Sequence, residues 1–423
     1  MTAQNKNEHV QIEDKENTIS RRDMLKMTAV AGAGVALGAS GMGALFSLDA
    51  LRPGTKEGSQ TSSGMVPFYG VKQAGITTPQ QKYMCFAAFD VTHNDRDELK
   101  KLLKTWTEYS ERMTKGRMVG EDQPNEFLPP DDTGEVLGLS ASRLTITFGF
   151  GATLFTKNGE DRFGFAAKKP AELADIPPMP RDELKKELSG GDICIQACSD
   201  DQTVAFHAIR NLARVARSGA VIRWMQNGFI SIPDGKTPRN LFGFKDGTAN
   251  RELGDKKAQD QYLWVTKQEP SWMQNGTYLV ARKIRMFTET WDRTSFKEQE
   301  ATFGRKKVSG APFGKVHEYD SVSLNDLPAN SHVRLARETK TKMLRRAYSY
   351  SDGLDPKTGY LDAGLFFISF QQSVKKQFIP MLSKMARSDA LNEYIQHVSS
   401  SVFACPPGVK KGGFIGEQLF HII

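Results

Sequence analysis

Gly243-Phe244-Lys245-Asp246-Gly247-Thr248-Ala249-Asn250 sets one acidic residue between two glycines. Further along, Asn330-Ser331-His332-Val333-Arg334 is followed, 13 positions after its histidine, by Arg345 in Leu344-Arg345-Arg346-Ala347-Tyr348-Ser349-Tyr350. The last segment reads as a strand that buries one arginine. A buried arginine needs a negative partner, and Asp246 is the candidate. Glycines at 243 and 247 let the backbone come close to a flat ligand. Taken singly, Asp-Gly is a common turn pair and a histidine is more often structural than ligating. Together they offer a carboxylate, an imidazole and a guanidinium to one site.

Working outward, the flanking chain alternates strands and helices at uneven spacing. Met84–Val91 is an apolar run of strand length, and Asp95–Met113 has helical spacing with Asn94 as its N-cap. Leu144–Phe155 alternates like a strand, 203–217 is helical, and Ala220–Ile232 reads as a hairpin or bend. In the second half Tyr278–Phe287 and Gly364–Phe370 are strands, and Gln377–Val398 contains helical spacing. The two halves share an order of elements without a sequence repeat. Long insertions and uneven spacing favour α+β over a doubly wound sheet.

The chain has 423 residues and a net charge of +8. Residues 1–52 hold six Lys/Arg and six Asp/Glu, so the excess lies on the body. A surplus of this size is what a solvated surface carries; the alternative is a preference for anionic ligands or an anionic membrane surface, and no nucleic-acid partner is expected. The four cysteines are Cys85, Cys194, Cys198 and Cys405. Cys194 and Cys198 share a strand, ~13 Å apart, too far for a disulfide. No C-x-x-C is present, which excludes a zinc ribbon and a thioether-attached haem.

Residues 1–19 are polar. Ser20-Arg21-Arg22-Asp23-Met24-Leu25-Lys26 follows, and then an uncharged, Gly/Ala-rich run from Met27 to Leu48. A positive region ahead of an apolar one is an export signal, and the paired arginines resemble the twin-arginine type. The apolar run is long enough to span ~30 Å of bilayer. The expected organisation is a tail with signal or anchor over 1–51, a linker over 52–66, and two halves, 67–225 and 226–423.

The three motifs resemble those of the dye-decolourising (DyP-type) haem peroxidases: the G-x-x-D-G signature, the proximal histidine segment and the distal arginine segment. With the signal and Pro67-Phe68-Tyr69-Gly70, the chain is most similar to the exported iron-uptake branch, the deferrochelatase/peroxidases. The resemblance covers about residue 66 to the C-terminus. Arg337-Glu338-Thr339 stands where the family often has Asn-Pro-Arg.

The resemblance implies an α+β fold of two ferredoxin-like halves, barrel-like, with haem b held non-covalently in the C-terminal half. It implies His332 as the axial iron ligand, and Asp246 and Arg345 as catalytic groups on the other face. Gly247, Thr248, Ala249, Arg337, Glu338, Thr339 and Arg345 are the expected cofactor contacts. Trp264, Trp291 and Tyr350 are aromatic residues that could relay electrons, though such residues are usually core. Hydrogen peroxide with a small donor or ferrous iron, the twin-arginine translocon and membrane iron-uptake proteins are the implied partners, with room for a homodimer. Iron release from haem, leaving protoporphyrin, is implied by the resemblance alone. The alternative is a haem-binding or iron-delivery protein without catalysis, which would not need Asp246 and Arg345.

Overall fold

Nine consecutive residues, Tyr83–Val91 (β1), form a strand with both faces covered. In the computed structural model, which describes residues 64–120, 125–233, 235–266 and 270–421, this strand starts a sheet that closes on itself. The other strands are β2 (Thr145–Gly151), β3 (Ile193–Ser199), β4 (Ala220–Phe229), β5 (Thr277–Met286), β6 (Leu344–Arg345), β7 (Tyr348–Leu354), β8 (Leu361–Gln371), β9 (Ile395–His397) and β10 (Ser401–Cys405). Their order is β8-β7-β4-β1-β3-β2-β10-β5, and β5 pairs back onto β8. The result is an eight-stranded antiparallel barrel. β6 extends the β7 edge of β8, and β9 extends the β10 edge of β5.

Strand periodicity sorts the side chains. Met84, Phe86 and Ala88 turn into the barrel with Trp224, Phe366, Phe403, Cys194 and Cys198. Eight strands leave an interior that side chains just fill, here with Phe86 stacked on Trp224 at 5.3 Å. Cys85, Ala87 and Phe89 turn outward under helices α1 (Arg96–Thr114) and α2 (Gln202–Val215), where Trp106 packs on Phe89 and Phe148. The sheet and its outer helices give the expected α+β barrel. All four cysteines are free and buried.

Several local expectations shift. The N-cap of α1 is Asp95, whose carboxylate accepts from the amides of Asp97 and Glu98, so Asn94 stands one residue too early. The strand expected over 144–155 stops at Gly151, where a Cβ would meet the Gly191 carbonyl oxygen at 2.0 Å. A short helix, Ala152–Phe155, follows. Residues 220–229 are one strand, not a hairpin, because β1 pairs along their length with a single bulge. The helical spacing over 377–398 yields only Ile379–Ser388 (α5). Asp389 ends it and caps the next turn, and the chain then runs into β9. The tail, the signal and most of the linker lie outside the described residues. Among those described, no helix is long and apolar enough to cross a membrane.

Between α5, helix α4 (His332–Glu338), which follows α3 (Phe296–Phe303) in the chain, and the outer face of β5 and β8 lies a cleft. It holds roughly 1690 Å³ of space free of protein atoms, part of it open to solvent.

Candidate active site

The Gly243–Asn250 stretch makes a tight loop. The Asn240 side chain accepts from the amides of Phe242 and Phe244, and the Asp246 amide donates to the Pro238 carbonyl at 2.8 Å. Gly247 follows at φ 102°, a left-handed conformation that glycine adopts without strain. The chain therefore turns directly after Asp246 and leaves its carboxylate facing the cleft, with Gly247, Thr248 and Ala249 along the rim. Behind the loop sits the buried carboxylate of Glu318, which accepts from Lys245, Thr237 and Thr248. Burial pushes the Glu318 pKa up, but these three donors outweigh it and hold it below the usual range.

Arg345, on β6, pairs with Asp246 through Nη2. Its backbone is clamped by the Asn250 amide, which donates to the Arg345 carbonyl at 2.6 Å and accepts from its N–H at 3.0 Å. The guanidinium lies 5.8 Å from the Phe367 ring centre, and its Nε has no partner. The expectation of one buried arginine here meets a more deeply buried neighbour. Arg346 points into the barrel, with the Thr78 carbonyl at 2.6 Å and Gln81 as acceptors.

His332 opens α4 on the helical wall of the cleft. Its Nδ1 lies 2.7 Å from Oδ2 of buried Asp389. A carboxylate only accepts, so Nδ1 carries the hydrogen, and in the neutral ring Nε2 is the nitrogen with the lone pair. Asp389 is itself fixed by the Leu391 amide at 2.9 Å. Sequence reading left this partner open. It lies 57 residues from His332, and its local signal is only that of a helix cap.

The remaining expected residues divide. Arg337 lines the cleft and pairs with Glu252. Glu338 and Thr339 fall outside the lining: Glu338 turns to Arg334 at 2.9 Å and Lys384 at 2.6 Å, and the Thr339 hydroxyl donates to Ala336. Trp264 and Tyr350 are buried among the barrel residues. Trp291 sits in an aromatic cluster that reaches His332 through Phe303, by ring distances of 5.7 and 5.9 Å. Arg305, part of a basic run with no role assigned from the sequence, also lines the cleft. Its charge is disfavoured first by burial and then by Arg337.

These residues fit a haem. The cleft offers one imidazole lone pair, apolar walls from Leu365, Phe367, Met381 and Leu382, and the cations of Arg305 and Arg337 for carboxylates. The polar pair Asp246–Arg345 stands on the sheet and loop side, away from α4.

Comparison with known proteins agrees. Residues 73–230 match the family model "Dyp-type peroxidase, N-terminal", and residues 237–410 match "Dyp-type peroxidase, C-terminal". Residues 18–38 match a TAT (twin-arginine translocation) pathway signal sequence. Similar proteins include the deferrochelatase of Escherichia coli K12, 38% identical over 84% of this chain and 87% of that one. The deferrochelatase of Escherichia coli O157:H7 is 37% identical over 98% and 100%. Among solved structures, an oxyferrous complex of DtpA from Streptomyces lividans superposes with a TM-score of 0.78 at 35% identity, over 86% of this chain and 100% of that one. A DyP-type peroxidase from Cellulomonas bogoriensis does so with 0.75 at 36%, over 84% and 98%.

Proposed function

This chain belongs to the Dyp-type peroxidase family, and from that premise we propose that Asp246, Arg345 and His332 carry the chemistry of an exported haem peroxidase that also releases iron from haem. Membership makes it a haem-dependent peroxidase, and the twin-arginine signal makes it extracytoplasmic. Haem b, held without covalent attachment, is the cofactor of this reading. The body is read as two halves, 67–225 and 226–423, with 52–66 as the linker to the signal.

The observation that carries the assignment is a single cleft lined by all three residues, with the Nδ1 of His332 held by Asp389. Bound haem supplies the iron at which peroxide is reduced and donors are oxidised. His332 offers Nε2 to that iron, and Asp389 fixes the tautomer and raises the basicity of the ring. On the other side, the carboxylate of Asp246 accepts a proton from one peroxide oxygen and returns it to the other, which is general acid/base work. The Arg345 guanidinium, held by Asn250 and Asp246, presents fixed donors to the negative charge that develops on the departing oxygen. Gly247, Thr248 and Ala249 are assigned to the cofactor through their backbone, and Arg337 to one of its carboxylates.

Deferrochelation, the activity named for the E. coli relatives, extends the same reading. Haem would then be the substrate: iron leaves as the ion, two protons take its place on the pyrrole nitrogens, and protoporphyrin remains. Membrane iron-uptake proteins are the partners this implies, and a homodimer is a compatible assembly. The test is spectroscopic. Haem added to the purified protein is expected to give a Soret band that His332→Ala shifts or abolishes. Prolonged incubation is expected to yield free protoporphyrin fluorescence. An unchanged band in His332→Ala would refute the ligand assignment; no porphyrin release would remove the lyase activity and leave the peroxidase.

A further inference from the structure

One end of the cleft holds charge that the peroxidase reading does not use. Arg282 on β5 is 0% exposed, yet it is one of the residues that line the cleft. Its Nη2 donates to Asp182 at 2.6 Å, while Nε and Nη1 have no partner. Nearby on β9, His397 also borders the cleft, and its Nδ1 has no partner. Asp182 arrives from the first half of the chain: the amides of Glu183 and Lys185 donate to the carbonyls of His397 and Val398, each at 2.9 Å. The loop therefore lies along β9 and delivers its carboxylate to Arg282.

This end is separate from the Asp246–Arg345 pair. Along the sheet, β6 pairs with β8, β8 with β5 and β5 with β9. From Arg345 to His397 the floor crosses three strand spacings, ~14 Å. The surface between is apolar, with Phe367, Ile284 and Ile395.

Buried guanidinium donors left unpaired are costly, and a planar carboxylate is the group whose geometry answers them. Asp182 occupies only one. We propose that Arg282 and His397 form a second, carboxylate-binding subsite in the cleft, which takes the carboxylate of an acid with a flat apolar body. That carboxylate comes from the porphyrin or from a free aromatic acid. The porphyrin source rests on the reading of the cleft as the haem site; the free-acid source does not. Asp182 competes with the ligand for Arg282, and the unpaired nitrogens of Arg282 and His397 receive the ligand's oxygens.

The test uses the full chain as wild type, Arg282→Leu and Asp182→Asn. Each is titrated with haem and with haem dimethyl ester, followed by Soret absorbance, and with benzoate by calorimetry. Arg282→Leu is expected to weaken haem or benzoate binding about tenfold, the effect of one lost charged hydrogen bond, and to leave the ester unaffected. A loss confined to haem assigns the site to the porphyrin carboxylate. A loss confined to benzoate assigns it to a free acid. Asp182→Asn is expected to tighten the same ligand, since it removes a competing charge. Equal binding of all three ligands by wild type and a folded Arg282→Leu overturns the subsite. Should circular dichroism show that Arg282→Leu does not fold, Asp182→Asn decides, and unchanged or weaker binding overturns it. Failure of the wild type to bind either porphyrin refutes the haem reading instead, and the benzoate titration then decides the subsite.

Discussion

Asp246 and Arg345 touch each other, yet their chemistry predicts different failures. Asp246→Asn keeps the shape and hydrogen-bonding reach of the side chain but cannot exchange a proton. Dye oxidation is expected to fall ~10²–10⁴-fold, with the acid limb of the pH profile flattened. Arg345→Leu removes a group that is charged at all working pH values. Its rate is expected to fall ~10²–10³-fold with an acid limb still present. Steady-state rates of both variants across pH separate the two roles, and a wild-type acid limb in Asp246→Asn would place the titrating group elsewhere. The clamp on Arg345 adds a third residue: Asn250→Ala frees the Arg345 backbone on both sides. It is expected to lower turnover about tenfold, through loss of positioning worth one or two hydrogen bonds, while haem absorbance stays unchanged.

At the scale of the element, the 243–250 loop is positioned by a carboxylate behind it. Glu318 bonds to residues on either side of Asp246, namely Lys245 and Thr248, and its folded-state pKa lies below its ordinary value. A depressed carboxylate contributes stability above its unfolded pKa, and that contribution is lost as pH falls through the folded one. Wild type is therefore expected to melt above Glu318→Gln at neutral pH, with the gap closing as pH drops below the ordinary glutamate value of about 4.3. Thermal melts of both proteins from pH 7 to pH 3 check this, and a gap that persists at pH 3 would assign the loop's stability to packing alone. On the helical wall of the cleft, the helical spacing over 377–398 becomes an α-helix only over Ile379–Ser388. The period of its apolar residues continues, but Asp389 is taken by His332 and by the next turn's cap, so α5 ends there.

At the scale of the molecule, export precedes function. Replacement of both Arg21 and Arg22 by lysine keeps the charge and removes the paired guanidinium groups that the twin-arginine route reads. The variant is expected to stay in the cytoplasm, and fractionation of cells that express it measures this. Normal export would assign the signal to another segment. The barrel explains how two distant stretches serve one site: closure of β5 onto β8 draws β6 and β9 to the two edges of one floor, with Arg345 at one and His397 at the other. The first half joins through Asp182, so the cleft is not built from the second half alone.

Sequence by itself determined the parts whose signals are local. The apolar period of β1 and α1, the left-handed turn that a glycine after Asp246 permits, and the paired arginines ahead of an uncharged run all depend on neighbours within a few residues. The pairing of Asp246 with Arg345 was legible in the motifs, but not for the reason of burial: the arginine that the strand buries is Arg346, which finds the Thr78 carbonyl and Gln81 instead of an acid, while Arg345 stays partly exposed. Tertiary structure alone decided the partners that lie far apart along the chain. Asp389 on His332, Asn250 on the Arg345 backbone and Asp182 on Arg282 are separated by 57, 95 and 100 positions. A side-chain hydrogen bond carries no periodicity, so each of these residues reads locally as a cap, a turn or a surface charge. It also decided that Arg345 faces the cleft while Arg346 faces the barrel, because adjacent residues on an extended chain point to opposite faces of the sheet, and only the closed sheet shows which face is which.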